Sequence, residues 1–76
     1  MLIEFAMPRS GLVRLDVFDL TGHLVRNLAD GLAGAGLNAV PWDGRGEHGR
    51  GLPPGTYFLR LRSAERVANK KVVLFH

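Results

Sequence analysis

The sequence predicts an all-β fold, a small sandwich or barrel. Three observations carry that prediction. Apolar residues alternate with period two in short runs, and Gly, Pro, Asp and Ser separate the runs. No segment of about twelve residues carries an amphipathic helical stripe. The runs recur roughly every 8–15 residues, the spacing of sandwiches and small barrels.

Each element follows from its own residues. Residues 2–6 read as a first strand, and Pro8-Arg9-Ser10-Gly11 breaks it. Val13, Leu15 and Val17 then alternate with Arg14, Asp16 and Phe18, which is a half-buried strand with one apolar face. Asp19-Leu20-Thr21-Gly22 is a turn: Asp bonds back to the backbone and Gly accepts positive φ. The run 23–28 has a mixed period, because Val25 and Leu28 are at helical spacing. It is read as a strand with a bulge, or one that ends near Arg26. Residues 29–36 are Ala, Asp and Gly with one Leu, and read as a loop. Leu37 to Trp42 is the next strand, and Pro41 within it predicts a sheet edge or a position that makes no ladder bond. Asp43 to Gly55 is a long glycine-rich loop. Thr56 to Arg62 is the clearest strand, with Tyr57, Leu59 and Leu61 on one face and Phe58, Arg60 and Arg62 on the other. Ser63-Ala64-Glu65-Arg66 turns the chain into a last strand, Val67 to Phe75. The expected core is Ile3, Phe5, Val13, Leu15, Val17, Leu28, Val40, Trp42, Tyr57, Leu59, Leu61, Val72 and Leu74.

Composition narrows the function. The 76 residues suffice for one small domain, expected to bury roughly 60% of its unfolded surface. There is no cysteine, so no disulfide, and the only imidazoles are His23, His48 and His76. A four-ligand zinc site is not expected from that set. There is no run of about 18 apolar residues to span a membrane. The net charge of +3 is uneven: residues 60–76 carry +4 and the rest −1. Sheet-based nucleic-acid binders interleave several exposed aromatics with their cations. Here only Phe58 stands near Arg60 and Arg62, so a solvated basic face is expected and no nucleic acid. The N-terminal residues lack the basic and apolar regions of a signal peptide, so any export signal is expected outside this chain.

Candidate chemistry is sparse. Asp43, Glu47 and His48 lie close in one glycine-rich loop and are the candidate metal ligands. They fall short of the carboxylates of a tight calcium loop, and Asp43-Gly44 after a strand is a turn signal, so no metal or other cofactor is expected. Arg45 and Arg50 among glycines suggest a phosphate cradle, but no helix follows to supply its N-terminus. Ser10 and Ser63 sit in turns without a flanking nucleophile motif, and no nucleophile, base and acid form a catalytic set, so no enzyme is expected.

Four segments together resemble a known family. Leu15-Asp16-Val17-Phe18-Asp19-Leu20-Thr21-Gly22-His23-Leu24-Val25-Arg26-Asn27-Leu28 is similar to its V-Y-D-x-x-G-x-x-V-x-x-L segment. Gly36 to Arg45 is similar to G-x-x-x-V-x-W-D-G-R, Gly51 to Leu61 to a segment ending G-x-Y-F-x-R-L, and Lys70-Lys71-Val72-Val73-Leu74 to a closing K-x-V-V-L. The family is that of small bacterial Ig-like domains. It includes the Ig-like domain of the flagellar hook-capping protein and the C-terminal sorting domains of type IX secretion.

The resemblance implies one Ig-like or fibronectin III-like antiparallel sandwich of about six or seven strands over residues 1–76. Asp19, Gly22, Trp42, Asp43, Gly44, Gly55 and Tyr57 are its structural motif positions. It implies a non-catalytic C-terminal accessory module of a secreted or cell-surface protein, acting in sorting or anchoring. Lys70, Lys71, Val72 and Val73 would be read by the secretion machinery. The alternative is a structural module that self-assembles or joins neighbouring domains by strand addition. Family members usually begin with a further strand, which has no counterpart before Ile3-Glu4-Phe5, so an open sheet edge is expected.

Overall fold

The structure, a computed structural model, describes residues 1–75; His76, expected to follow the last strand, lies outside the described residues. The strands are β1 (Leu2–Met7), β2 (Gly11–Phe18), β3 (Leu24–Ala33), β4 (Gly36–Pro41), β5 (Gly55–Ser63) and β6 (Val67–Leu74). They form two antiparallel sheets, one of β1 and β4 and one in the order β3-β2-β5-β6. The four-stranded sheet is built from the strands with the strictest alternation. Its inner face carries Val13, Leu15 and Val17 from β2 and Tyr57, Leu59 and Leu61 from β5, all buried. From the other sheet Ile3 and Met7 close onto them, with Trp42 just past β4.

Two expectations are corrected. Residues 29–33 are not loop: they continue β3, with Ala29, Gly31 and Ala33 opposite Leu15, Val13 and Gly11. Small residues carry little strand propensity, but the ladder offered by β2 satisfies their backbone and decides the outcome. The mixed period of 23–28 is a bulge. Leu15 pairs with Ala29 and Asp16 with Asn27, leaving Leu28 as the extra residue. The second correction concerns the core. Phe5, Leu28, Val40 and Val72 are only half-buried against it, whereas Met7 is buried. A two-stranded layer is too narrow to cover four strands, so the side chains at its margins keep some exposure.

Trp42 is 1% exposed and lies edge-on to Tyr57, ring centroids 6.1 Å apart at 79°. Both polar tips are satisfied: Trp42 Nε1 donates to Arg45 O at 3.1 Å and Tyr57 Oη to Pro53 O at 2.6 Å. Leu74 presses on the same region, and a Cβ on Gly44, whose φ is 77°, would lie 3.1 Å from Leu74 Cδ1.

The β2–β3 turn is built on Asp19. Its Oδ1 accepts from Thr21 N at 2.9 Å, Thr21 Oγ1 at 2.6 Å and His23 N at 3.0 Å. Gly22 supplies the left-handed backbone at φ 88°. The Thr21 hydroxyl first, then the His23 N–H, hold the Asp19 carboxyl below its ordinary value.

Two outcomes are expected. Trp42→Ala removes the largest buried side chain and costs about 3–5 kcal/mol, a large share of the roughly 5–15 kcal/mol of such a domain. Urea unfolding followed by circular dichroism measures it. Asp19→Ala lowers the melting temperature at neutral pH. The folded pKa lies below the ordinary 3.8, so the wild-type advantage is complete above that value. It fades as pH falls through the folded value, and melting curves of the two proteins converge in stronger acid.

Candidate functional site

Sheet edges present backbone N–H and C=O groups that need partners. Four strands here have an edge: β3 and β6 flank the larger sheet, and β1 and β4 each bound the smaller one.

The first half of the β3 edge, around Val25 to Asn27, is covered by the long loop. Glu47 N donates to Val25 O at 3.0 Å, and Asn27 N donates to the Glu47 carboxylate. Arg26 Nη1 reaches Arg45 O at 3.0 Å and Asp43 Oδ1 at 3.3 Å. Within the loop Arg45 bridges Gly51, and Gly46 N donates to Arg50 O at 2.9 Å. A Cβ at Gly46 would stand 3.2 Å from the Val25 carbonyl, so glycine lets the loop lie close against β3 there. The candidate metal ligands are thereby placed. Asp43 accepts from Arg45 N and Arg26, Glu47 accepts from Asn27, and His48 is exposed near the loop tip. Among the described residues no group of three His, Cys, Asp or Glu is positioned to hold a metal.

The edge of β4 lies toward β3, which it touches. Pro41 interrupts nothing. Met1 and Trp42 exchange backbone hydrogen bonds, Trp42 N to Met1 O at 2.8 Å and the N-terminal amine to Trp42 O at 3.1 Å. Antiparallel ladders alternate, so the Leu2–Pro41 pair makes no mutual bond and the missing N–H falls on the outward side.

The same alternation turns the N–H and C=O of Leu2, Glu4 and Ala6 away from β4, along an open edge of β1. Arg66 Nη2 takes the Ala6 carbonyl at 3.1 Å. Beside this edge a groove of about 170 Å³ opens between β1 and β6. Its walls are mainly apolar, with Ile3, Phe5, Leu15, Leu59, Leu61 and Ala68, and its charged residues are Arg66, Lys70 and Glu4.

The predicted Lys70–Val73 segment is split by the pleat of β6. Lys70 and Val72 pair with Leu59 and Tyr57 and share their inward side, where Lys70 is nevertheless exposed. Lys71 and Val73 stand on the opposite face, exposed. Ser63 N donates to Arg66 O at 2.9 Å, which fixes the alternation of this hairpin and leaves the backbone of Val67, Asn69, Lys71 and Val73 facing outward.

One polar residue was not foreseen. Asp16, 2% exposed, lies on the outer face of the larger sheet, bonded by Arg14 Nε at 2.8 Å and Asn27 Nδ2 at 2.9 Å. By hydrogen bond and charge it raises the pKa of Arg14. Arg60 lies alongside, over the Phe18 ring at 4.5 Å. Nothing local in the sequence marks Asp16, since its partners arrive through cross-strand register. The groove and Arg66 escaped notice for the same reason.

No described helix is long and apolar enough to cross a membrane. Searches of the curated proteins and of the solved structures returned no match. The family model of the FlgD Ig-like domain matches residues 3–66, which is most of the chain and takes in every strand up to the β5–β6 turn. With its two antiparallel sheets and its Trp42–Tyr57 core, this chain belongs to the FlgD Ig-like domain family.

Proposed function

We propose that the chain is a non-catalytic structural module of a secreted or cell-surface protein, and that it engages neighbouring chains by accepting a strand at β1. The observation that carries this reading is the unequal treatment of its edges. The loop covers one flank at Val25, Arg26 and Asn27, while the backbone groups of Leu2 and Glu4 and the N–H of Ala6 have no partner among the described residues, beside an apolar groove. Strand addition draws affinity from such backbone groups and selectivity from the side chains beneath. An enzyme reading finds no support in the polar residues, whose partners are mostly backbone groups or each other.

A second reading, sorting by export machinery, is favoured by one observation. Lys71 and Val73 are exposed on β6, and their backbone faces the outward edge.

The two readings have separate tests. Joining a short Thr/Val strand to Met1 through a Gly/Ser linker should raise the melting temperature and slow amide exchange at Leu2, Glu4 and Ala6. A version with proline at the alternate positions should do neither. Equal melting of both versions with the unmodified chain counts against strand acceptance. For sorting, the chain fused to an exported reporter should carry it across the outer membrane of a type IX-competent host. Alanine at Lys70 and Lys71 should stop that passage, and unchanged secretion sinks the sorting reading.

A further inference from the structure

We infer that the groove between β1 and β6 seats an extended strand from another polypeptide, one with alternate apolar side chains and an inward-facing carboxylate. This rests on the strand-acceptor reading above and specifies the partner's chemistry.

The pleat dictates the pattern of the incoming strand. Residues that bond to Leu2, Glu4 and Ala6 share their outward face, so the residues between them point inward beside Ile3 and Phe5. Inward side chains lie over Leu59, Leu61 and Ala68. Along β6 the inward positions Ala68 and Lys70 are exposed and Val72 half-buried, whereas Leu74 is buried. Cover is therefore lacking at the Ala68–Lys70 end of the groove, and apolar side chains placed there remove that surface from water.

Charge selects the rest. The charged residues at the groove are Arg66 and Lys70 with one acid, Glu4 of β1, so two cations stand against one carboxylate, and the pleat sets the Glu4 side chain with Leu2 and Ala6 on the outward face of β1. A carboxylate on the inward side of the guest meets both cations in a partly desolvated setting, while a cation there faces the net positive charge of Arg66 and Lys70 over Glu4. Arg66 already spends one N–H on Ala6 O. A guest that pairs along the full edge takes over that carbonyl and frees the guanidinium for the carboxylate. A second copy of this chain is a poorer guest. Two β1 strands paired about a twofold axis centred on the edge set Glu4 against Glu4, and each chain carries +3.

The test is titration of the isotopically labelled chain with the capped peptide Thr-Val-Thr-Glu-Thr-Val-Thr, followed by NMR and amide exchange. The sequence is palindromic, so either strand direction offers the same faces. Shifts and protection are expected at Leu2, Glu4 and Ala6. A peptide with Lys in place of Glu should bind at least about fivefold more weakly, and Lys70→Glu should reverse that order. Equal binding of the two peptides overturns the inference and leaves strand acceptance standing. Concentration-dependent protection of β1 without peptide does the same, whereas protection along Val67, Asn69, Lys71 and Val73 instead overturns acceptance at β1 as well. Failure of every peptide to bind, when the fused strand does stabilise the chain, overturns the inference alone. An N-methylated peptide, unable to donate toward β1, that binds as tightly as its parent overturns both readings.

Discussion

Trp42 is where the parts of this domain are tied together. Its backbone exchanges hydrogen bonds with Met1 at the start of the chain, its indole N–H holds the Arg45 carbonyl at the root of the long loop, and its ring meets Tyr57 on β5. Tyr57 in turn holds Pro53 at the loop's far end. Both ends of the loop are thus anchored by aromatic side chains that belong to the core. A short chain has few large residues to spend, and here two of them serve packing and loop placement together.

The anchored loop then solves a problem of the sheet. The bulge at Leu28 shifts the alternation of β3, so that Val25 and Asn27 turn their backbone groups outward. Glu47 supplies an N–H to one and a carboxylate to the other. Arg26, in the middle of the same stretch, holds two loop carbonyls and Asp43. Charged side chains that resemble a binding cluster in a list of residues are, in space, the fasteners of an edge. Their worth lies in hydrogen bonds to backbone groups that would otherwise template aggregation.

The central strands of the larger sheet, β2 and β5, are legible in the sequence because each is buried on one face and alternates strictly. The Asp19 turn and the Trp42–Asp43 junction were legible for a similar reason: side-chain-to-backbone bonds and positive φ are local chemistry. The second half of β3 was not legible. Ala29, Gly31 and Ala33 acquire their strand only from β2, many residues away. The margins of the core were misjudged because alternation tells which side a residue faces, not how wide the covering layer is. Met7 was missed because the break at Pro8 suggested an earlier end to β1. The outward backbone of β1 follows from its pairing with β4. Its exact backbone groups, the groove, and the Arg66 contact to Ala6 depend on the register of both sheets and could be read only from the structure.

The seal on β3 also limits how this module can combine. With the loop covering the Val25–Asn27 stretch of one flank, and Pro41 withholding a donor from the neighbouring edge of β4, the outward backbone groups of β1 and β6 are left together on the opposite side. Those two edges flank one groove. Any pairing with another chain is confined to that side, so a run of paired strands cannot pass straight through the module from one flank to the other.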